Sequence, residues 1–426
     1  MQIEELYKLY QQYPSVQTDT RKVKEDDIFF ALKGENFNGN TFVQKAIDAG
    51  AAYAVIDEEQ YAVFGKTVLV GDVLTTLQQL AKHHRQQFNI PFIAVTGSNG
   101  KTTTKELIHA VLSSSFKTYT TEGNLNNHIG IPLTILKIKE DAEIAVIEMG
   151  ANHQQEIASY CEYALPTHGL ITNCGKAHLE GFGGVEGVRK GKGELFDYLR
   201  KNNGTAFVMW DYDYLQEMST GISTIHKYGT HDAQTTGTLI QSEPFLEVSI
   251  SNEEPIYSIK TRLVGDYNLP NVLAAVAVGK YFNISDDKIK EAIENYTPSN
   301  SRSQLMEVGT NKIILDAYNA NPSSMKLAIE NFAKINADNK VMLLGAMAEL
   351  GEESLAEHKG IIKLIQQYPW KNVVLVGGDF LKTEHPYLQF NNAEEAKVWI
   401  QQQVFENTHL LIKGSRSMQM EKVLDK

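Results

Sequence analysis

The segment from Phe92 to Leu112 limits the possible folds most strongly, because its pattern indicates a strand, a glycine turn and a helix in immediate succession. Phe92 to Val95 is apolar and β-prone, Gly97 to Gly100 turns the chain, and apolar residues then recur on one helical face. Free backbone N–H groups at such a turn and at a helix N-terminus favour phosphate. The sequence therefore predicts a phosphate loop made of Gly97, Ser98, Asn99, Gly100, Lys101, Thr102 and Thr103.

Two side chains of this loop carry the chemistry expected of a nucleotide site. Lys101 is predicted to reach the outer phosphates, and Thr102 to bind a Mg²⁺ ion. Val95 stands where the general phosphate-loop pattern has its first glycine. A glycine turn that only caps the helix is therefore the alternative interpretation.

Composition excludes several classes of protein. A chain of 426 residues exceeds one ordinary hydrophobic core, so we expect two or three domains and three cores. A formal charge of -12 disfavours broad binding to nucleic acid or to anionic membranes. Only Cys161 and Cys174 occur, so neither a disulfide framework nor a zinc site of four cysteines is expected. Without a signal-like start or a bilayer-spanning stretch, the chain is expected in the cytoplasm.

The pattern of apolar segments divides the chain into three α/β units, predicted at residues 1–88, 89–298 and 299–426. The first has a strand at 28–32 and an amphipathic helix at 73–88. The second adds buried strands at 144–147 and 169–171, and alternating residues between 204 and 265 predict an antiparallel insert. The third repeats strands at 313–315, 342–344, 373–376 and 410–412, which predicts a parallel, Rossmann-like sheet without a dinucleotide fingerprint.

Polar residues that follow the central strands are candidates for metal binding, because ligands of open α/β sheets bind at the strand ends. Glu148 ends one strand and could hold Mg²⁺ beside Thr102, although a solvated carboxylate is an equal alternative. His178 follows the next strand and could bring a second ligand, whereas a structural histidine is the alternative. Lys192 by itself reads as a surface lysine near a helix start.

Asparagines form two further candidate groups. Asn126 and Asn127 could bind a sugar or a diphosphate, and a role in a turn is the alternative. Asn268 and Asn271 precede an apolar helix, so adenine recognition competes with helix capping.

Five features of the chain follow one another in the order in which they occur in the muramyl ligases. They are GSNGKTT, Glu148, the segment from Asn173 to Glu180, Lys192 in KGE, and the asparagines before LAA. The chain therefore resembles that family. The resemblance spans nearly the whole chain. Within the family, the C-terminal unit is similar to that of members that add D-alanyl-D-alanine to UDP-N-acetylmuramoyl-tripeptide for peptidoglycan synthesis. The motifs that carry this similarity are DAYNANP at 316–322, MAELG at 347–351 and KGSR at 413–416. The sequence departs from many members at three positions, which are Thr20, Tyr267 and Ala346.

The resemblance implies an ATP-dependent ligase that works through an acyl phosphate, with two Mg²⁺ ions. Lys101, His178 and Lys192 are the implied catalytic residues, with Lys192 carbamylated by CO₂ and preferred over Lys190. The implied metal ligands are Thr102, Glu148, His178 and carbamylated Lys192. The implied ATP contacts outside the phosphate loop are Asn268, Asn271, Arg302 and Asp316.

The resemblance also implies where the other substrates bind. A small α/β uridine-binding unit would hold the UDP end through Thr18, Asp19, Thr20 and Arg21. Asn126 and Asn127 would contact the same substrate, and the acceptor dipeptide would lie near Asn319 and Asn321. The C-terminal unit would close over ATP, and the protein would act as a monomer.

Three other functions remain as alternatives at this stage. A related ligase could add one amino acid to a muramoyl peptide, or glutamate to a folate. A nucleotide-binding switch would need neither His178 nor Lys192. A plain phosphotransferase would release a stable phosphorylated product without an amine acceptor.

Overall fold

Three main β-sheets with helices packed against them organise the computed structural model, which describes residues 2–251, 257–298 and 302–425. Most strand pairs within these sheets are parallel, as the sequence predicts for an α/β protein. The mixed α/β fold class is therefore confirmed. No helix within the described ranges is long and apolar enough to cross a lipid bilayer.

The N-terminal sheet has four parallel strands in the order β1-β2-β5-β6, and β3 and β4 form a separate hairpin. The strand predicted at 28–32 ends at Phe30 in the structure, and the helix predicted at 73–88 ends at Arg85. The elements are α1 (Ile3–Gln12), β1 (Val16–Gln17), β2 (Ile28–Phe30), β3 (Lys33–Gly34), β4 (Phe37–Asn38), α2 (Val43–Asp48), β5 (Tyr53–Ile56), β6 (Thr67–Leu69) and α3 (Val73–Arg85).

The central sheet has nine strands in the order β15-β14-β13-β12-β11-β10-β7-β9-β8. Its strands are β7 (Phe92–Thr96), β8 (Thr118–Thr120), β9 (Ile144–Glu148), β10 (His168–Ile171), β11 (Thr205–Met209), β12 (Thr224–Gly229), β13 (Thr235–Gln241), β14 (Glu247–Ile250) and β15 (Tyr257–Lys260). Its helices are α4 (Lys101–Ser113), α5 (Gly130–Leu136), α6 (Glu156–Ala164), α7 (Leu179–Phe182), α8 (Val185–Lys201), α9 (Asp213–Ser219), α10 (Leu269–Tyr281) and α11 (Asp286–Asn295).

The order of the central strands brings the candidate loops together. Strand β7 lies between β9 and β10 and is parallel to both, so the segments that follow these three strands meet at one edge. All residues of β7 and β9 are buried, which agrees with the apolar runs of a covered parallel sheet. Helix α10 is apolar on every side because it packs between α4 and the sheet.

The antiparallel insert predicted between residues 204 and 265 is only partly correct. Strands β11 and β12 continue the parallel sheet, and β13 still pairs with β12 in parallel. Antiparallel pairing begins between β13 and β14 and continues to β15. The alternating residues Leu246, Val248 and Ile250 do face inward, but periodicity cannot reveal the direction of a strand's neighbours.

The C-terminal sheet follows the order β16-β17-β21-β18-β19-β20 and is parallel except for the edge strand β16. The four predicted strands are present, whereas the edge strands β16 and β20 were not predicted. Residues 299–301, where the predicted third unit begins, lie outside the described residues. The elements are β16 (Gln304–Val308), β17 (Asn311–Asp316), α12 (Pro322–Lys334), β18 (Asn339–Gly345), α13 (Ser354–Ile365), β19 (Asn372–Val376), β20 (Leu388–Phe390), α14 (Ala393–Gln401) and β21 (Thr408–Lys413).

The sequence predicts three separate cores, one for each unit, but the buried apolar residues are not divided in that way. Among the described residues one cluster contains side chains from all three units, and two smaller clusters cover the outer faces of the terminal sheets. Arg85 of α3 reinforces the first junction, because its guanidinium donates to the carbonyls of Ala164 and Leu165 at 3.1 Å and lies over the Phe92 ring. The N-terminal unit is thereby anchored to the central one.

Candidate active site

The phosphate loop lies between β7 and α4, where two glycines are required by their surroundings. Gly97 and Gly100 have φ angles of 142° and 80°, which side chains rarely adopt. A Cβ atom at Gly97 would lie 2.0 Å from Oγ1 of Thr172, and one at Gly100 would lie 2.6 Å from Oδ1 of Asn271. The predicted strand, turn and helix are therefore confirmed, and the turn closely contacts the neighbouring segments.

Lys101 folds back over its own loop. Its ammonium donates to the carbonyl oxygens of Gly97 at 2.6 Å and Ser98 at 3.1 Å. Burial of the ammonium lowers the pKa of Lys101 to about 8, and nearby Glu148 opposes that shift while Arg302 adds to it. Lys101 thus remains largely cationic at neutral pH, within reach of any phosphate held by the loop.

Glu148 is almost fully buried at the end of β9 and has one free carboxylate oxygen. Its Oε1 accepts from the Thr102 hydroxyl at 3.1 Å and from Nδ2 of Asn126 at 2.8 Å. Its Oε2 is buried without a hydrogen-bond partner. A buried carboxylate oxygen beside a hydroxyl is a donor set that suits Mg²⁺, because this ion prefers hard oxygen ligands.

Lys192 is a buried residue of α8, so the surface interpretation suggested by its sequence context is wrong. Its side chain is 1% exposed, donates to the carbonyl of Ala151 at 3.0 Å and lies 4.8 Å from the Phe182 ring centre. Burial, and next the charge of Lys101, lower the pKa of Lys192 to about 7. The rival Lys190 is exposed. A buried lysine amine that is about half neutral at pH 7 therefore lies close enough to Lys101 of the phosphate loop to interact with its charge.

His178 lies after β10 and pairs with Glu349 of the C-terminal unit. Its backbone has a φ of 51°, an uncommon conformation for histidine. The sequence placed Glu349 in a motif but gave no indication of this partner. Contact between His178 and the C-terminal unit means that a metal bound there would replace or join the contact with Glu349.

The structure assigns the four asparagines to hydrogen bonds within the protein. Asn126 donates to Glu148, whereas the Asn127 side chain accepts from the backbone N–H of Gly130 at 2.9 Å. Asn271 donates to Asn268 at 2.8 Å and accepts from the Thr104 hydroxyl at 3.0 Å.

Helix capping is therefore wrong for the second pair, because the Asn268 side chain makes no cap bond to α10 and donates to the carbonyl of Val264 instead. Both asparagines are buried behind the phosphate loop. Contact of either residue with adenine stays a prediction.

Arg302 lies near the start of the C-terminal unit, and Asp316 is the last residue of its strand β17. Asp316 accepts from the buried ammonium of Lys413 at 2.5 Å and from the backbone N–H of Ser303 at 3.2 Å. The Arg302 guanidinium lies 3.6 Å from the Tyr318 ring centre. Its influence on the pKa of Lys101 places it near the phosphate loop. The sequence missed the Asp316–Lys413 pair, since the partners are far apart in the chain.

The C-terminal unit touches the phosphate loop directly through Asn321. Nδ2 of Asn321 donates to Oδ1 of Asn99 at 2.8 Å, while Oδ1 of Asn321 accepts from the N–H of Ser324 and caps α12. Asn319 accepts from the N–H of Ala320 through its own side chain. Both asparagines form hydrogen bonds within the protein, and their contact with the acceptor dipeptide stays a prediction.

Two more contacts join the same surfaces, both through Lys176. Its backbone N–H donates to Oγ of Ser323 at 2.9 Å, and its ammonium pairs with Glu357 at 2.5 Å. The segments after the central strands therefore face α12 and α13 of the C-terminal unit, and the region between them is here called the crevice.

The N-terminal candidates lie apart from this crevice, in the segment between β1 and β2. Arg21 and Asp19 form an exposed ion pair at 2.8 Å, and the hydrogen bonds to Arg21 lower the pKa of Asp19 to about 2. Thr18 and Thr20 are partly exposed beside this pair. Their role in binding the UDP end stays a prediction.

Three sequence models of one family match the chain. They are described as the Mur ligase family catalytic domain, over residues 12–86, the Mur ligase middle domain, over 95–279, and the Mur ligase glutamate ligase domain, over 301–416.

Curated proteins that share one name are similar to the chain over most of its length. The UDP-N-acetylmuramoyl-tripeptide–D-alanyl-D-alanine ligase of Bacillus subtilis is 38% identical over 81% of this chain and 76% of its own length. The ligase of that name from Escherichia coli is 34% identical over 96% of this chain and 92% of its own length.

Solved structures of ligases called MurF are similar to this chain over nearly its whole length. MurF from Acinetobacter baumannii superposes with a TM-score of 0.88 at 29% identity, covering 98% of this chain and 96% of the other. MurF from Thermotoga maritima, solved in complex with ADP, gives 0.86 at 26% identity over 96% of each chain.

Proposed function

Because this chain belongs to the Mur ligase family, we propose that its crevice performs the ATP-dependent attachment of D-alanyl-D-alanine to UDP-N-acetylmuramoyl-tripeptide. The products are UDP-N-acetylmuramoyl-pentapeptide, ADP and phosphate, a step of peptidoglycan precursor synthesis. Relatives that span nearly the whole chain carry this activity in their names, and one similar structure holds ADP. One observation in the structure supports it most strongly. The phosphate loop and the free oxygen of Glu148 lie at the carboxyl ends of the central strands, where the buried amine of Lys192 contacts the carbonyl of Ala151 and the N-terminus of α12 contacts the loop.

The reaction proceeds in two displacements. The terminal carboxylate of the tripeptide attacks the γ-phosphorus of ATP, and ADP leaves, which gives an acyl phosphate. The amine of D-alanyl-D-alanine then attacks the acyl carbon, phosphate leaves, and the amine loses a proton as the amide forms. Lys101 stabilises the γ-phosphate as two anions approach each other, since its ammonium already lies over the loop.

The residues present supply candidate ligands for one Mg²⁺ ion, and the family resemblance implies a second ion. Thr102 and Glu148 would hold the first ion, because Oε2 of Glu148 is buried and unsatisfied. His178 and carbamylated Lys192 would hold the second. When bound, the two ions neutralise charge on the phosphate oxygens as the carboxylate approaches.

The surroundings of Lys192 support its proposed carbamylation. The neutral amine attacks the carbon of CO₂, a new N–C bond forms, and one proton leaves to give a carbamate anion. Burial favours this reaction because it lowers the pKa of Lys192 to about 7. Roughly half of the Lys192 side chains are therefore neutral at a pH of about 7. The product is an anion where Mg²⁺ needs a ligand, and it removes the repulsion between Lys192 and Lys101.

The remaining sequence predictions complete the proposal. Thr18, Asp19, Thr20 and Arg21 hold the UDP end, and Asn126 and Asn127 border the tripeptide. Asn268, Asn271, Arg302 and Asp316 surround ATP, and Asn319 lies near the acceptor. The protein acts as a monomer in the cytoplasm, where ATP and UDP-linked precursors are made.

The first test is acceptor-dependent release of ADP. With ATP, Mg²⁺ and UDP-N-acetylmuramoyl-tripeptide, ADP should accumulate when D-alanyl-D-alanine is added, and mass spectrometry should show the pentapeptide. Tripeptides that carry lysine or diaminopimelate are each supplied, and D-alanine alone serves as the control acceptor. A product that contains one amino acid, or a phosphorylated product without an amine, would contradict the proposal and identify one of the rival activities.

Asn321 offers a test of domain closure. Asn321→Asp keeps the acceptor that caps α12 but removes the donor to Asn99 and adds a negative charge near the phosphate loop. Loss of one such hydrogen bond should lower kcat/KM for ATP by about three- to tenfold. Steady-state kinetics with each substrate in turn measure the effect.

A matched control exists on α14, whose N-terminus Asn392 caps with the same geometry, accepting from the N–H of Glu395 at 2.9 Å. Asn392→Asp should leave the kinetics unchanged. A rise confined to the KM for D-alanyl-D-alanine in Asn321→Asp would place Asn321 in the acceptor site, as the sequence predicted, and would contradict its role in closure.

A further inference from the structure

Lys105 is a fully buried lysine in the middle of α4 that the proposed mechanism does not use. Removing an ammonium from water costs several kcal/mol unless it is paired and hydrogen-bonded. An apolar side chain would fill the same space without that penalty. The contacts of Lys105 therefore call for an explanation beyond packing.

The ammonium of Lys105 has two partners. It donates to the backbone carbonyl of Thr121 at 2.6 Å and to Oε1 of Glu106 at 2.6 Å. Glu106 is the neighbouring residue and is partly exposed, so it compensates the charge from the solvent side. The bond to Thr121 is different, because it joins α4 to the segment that follows β8.

Thr121 passes this connection on to Glu148. Oγ1 of Thr121 accepts from the backbone N–H of Glu148 at 2.9 Å, and its own N–H donates to the carbonyl of Val146 at 3.2 Å. Thr121 is completely buried. Its position therefore fixes the last residues of β9 relative to α4.

Helix periodicity closes these contacts into a ring. Thr102 precedes Lys105 by three residues, so the two lie on one face of α4. Thr102 donates to the Glu148 carboxylate at 3.1 Å, while Lys105 reaches the Glu148 backbone through Thr121. One turn of the phosphate-loop helix thus holds both ends of the same glutamate.

The segment that Lys105 anchors also supplies the second donor to this carboxylate. Asn126 lies five residues after Thr121 and donates to Oε1 of Glu148 at 2.8 Å. Two donors therefore occupy Oε1, and Oε2 is left without a partner. The arrangement selects which oxygen remains free.

We propose that Lys105 is a positioning residue that orients the free carboxylate oxygen of Glu148 toward the divalent cation, a role that rests on the proposed function. It acts through Thr121 and contacts no reacting atom. Groups behind a metal ligand commonly change metal affinity by about 10- to 100-fold when they are replaced. Loss of Lys105 should change metal binding in that range and leave the acceptor site unaffected.

The test compares Lys105→Met with Glu106→Gln. Methionine keeps a long unbranched chain and removes the donor, whereas Glu106→Gln retains the bond from Lys105 to Thr121. Mn²⁺ binding in the presence of ADP, followed by electron paramagnetic resonance, should be at least about tenfold weaker in Lys105→Met and near wild type in Glu106→Gln. The Mg²⁺ concentration for half-maximal ADP release should rise in parallel, with an unchanged KM for D-alanyl-D-alanine.

A second pair of variants keeps the ammonium in place. Thr121→Val removes the acceptor of the Glu148 N–H, and Thr121→Ser restores a hydroxyl. Weak Mn²⁺ binding in the valine variant and recovery in the serine variant would support the ring even if Lys105→Met does not fold.

Wild-type Mn²⁺ affinity in a folded Lys105→Met, or in Thr121→Val, would overturn the inference and leave Lys105 a purely structural residue. Failure of the wild-type enzyme to form the pentapeptide would overturn the proposed function instead, since the Mn²⁺ comparison does not depend on the product.

Discussion

Replacing Lys101 with methionine should lower kcat by roughly 10²- to 10³-fold, because one preorganised charge on the transferring phosphate is lost. The ammonium already lies 2.6 Å from the carbonyl of Gly97, inside the turn that would surround the phosphates. Methionine has a similar length and fills the same volume. Single-turnover formation of ADP, measured at saturating ATP, separates this loss of chemistry from weaker nucleotide binding.

Lys101 also makes the free energy of unfolding depend on pH, and the direction of that dependence follows from its pKa. Burial lowers the pKa of Lys101 to about 8 from an ordinary value of 10.5, so the folded protein binds fewer protons than the unfolded chain between those limits. The contribution of Lys101 to the free energy of unfolding therefore rises with pH from about 8 to 10.5. Lys101→Met should remove this dependence.

Urea unfolding of both proteins at several pH values tests the sign. Lys117→Met, which changes an exposed lysine of the central unit, serves as the control. Activity of Lys101→Met within tenfold of wild type would exclude Lys101 from charge stabilisation.

The part of the site that the sequence predicts correctly is encoded locally. The apolar run of β7, the glycines after it and the helical face of α4 lie within about twenty consecutive residues, so their pattern specifies strand, turn and helix together. The position of Glu148 at a strand end was predicted for the same reason, since it directly follows an apolar run. Parallel strands then bring these ends together without further information.

The contacts that were missed depend on partners distant in the chain. Lys413 and Asp316 are 97 positions apart and pair because β17 and β21 are neighbours in the C-terminal sheet. Asn271 does lie in the first turn of α10, as predicted, but its side chain bonds to Thr104 across the interface between α4 and α10 and does not cap the helix. Amide groups suit caps, turns and ligands equally well, so the residue type cannot decide among these roles.

Lys192 shows what a family pattern adds to local sequence. A lysine between two glycines on a polar helix has no sequence property that indicates burial, and by itself it reads as a surface residue. The muramyl ligase resemblance assigned it a metal-binding role, and the structure independently buries it near Lys101. A charge pattern alone could not have separated it from exposed Lys190.

Replacing Lys192 with alanine should lower kcat by at least about 10²-fold, because the proposed mechanism would lose the anionic metal ligand that a Lys192 carbamate supplies. Added short carboxylates such as acetate should restore part of the activity, since they can enter the space that the side chain leaves. Lys190→Ala, on the same helix but exposed, should behave as wild type. Near-normal turnover by Lys192→Ala would remove this lysine from the site.

Dependence on CO₂ separates carbamylation from a simple role of the lysine cation. Wild-type activity should fall in CO₂-free buffer and recover when bicarbonate is added, and a ¹³C-bicarbonate label should give a carbamate signal that Lys192→Ala lacks. The direction with pH follows from the amine. Because burial holds its pKa at about 7, the neutral form that captures CO₂ increases as pH rises through that value. At a fixed concentration of dissolved CO₂ the carbamate signal should therefore grow from pH 6 to pH 8. A lysine that acts directly as a cation would give no carbamate signal, and its contribution to activity would fall over the same interval together with the protonated fraction.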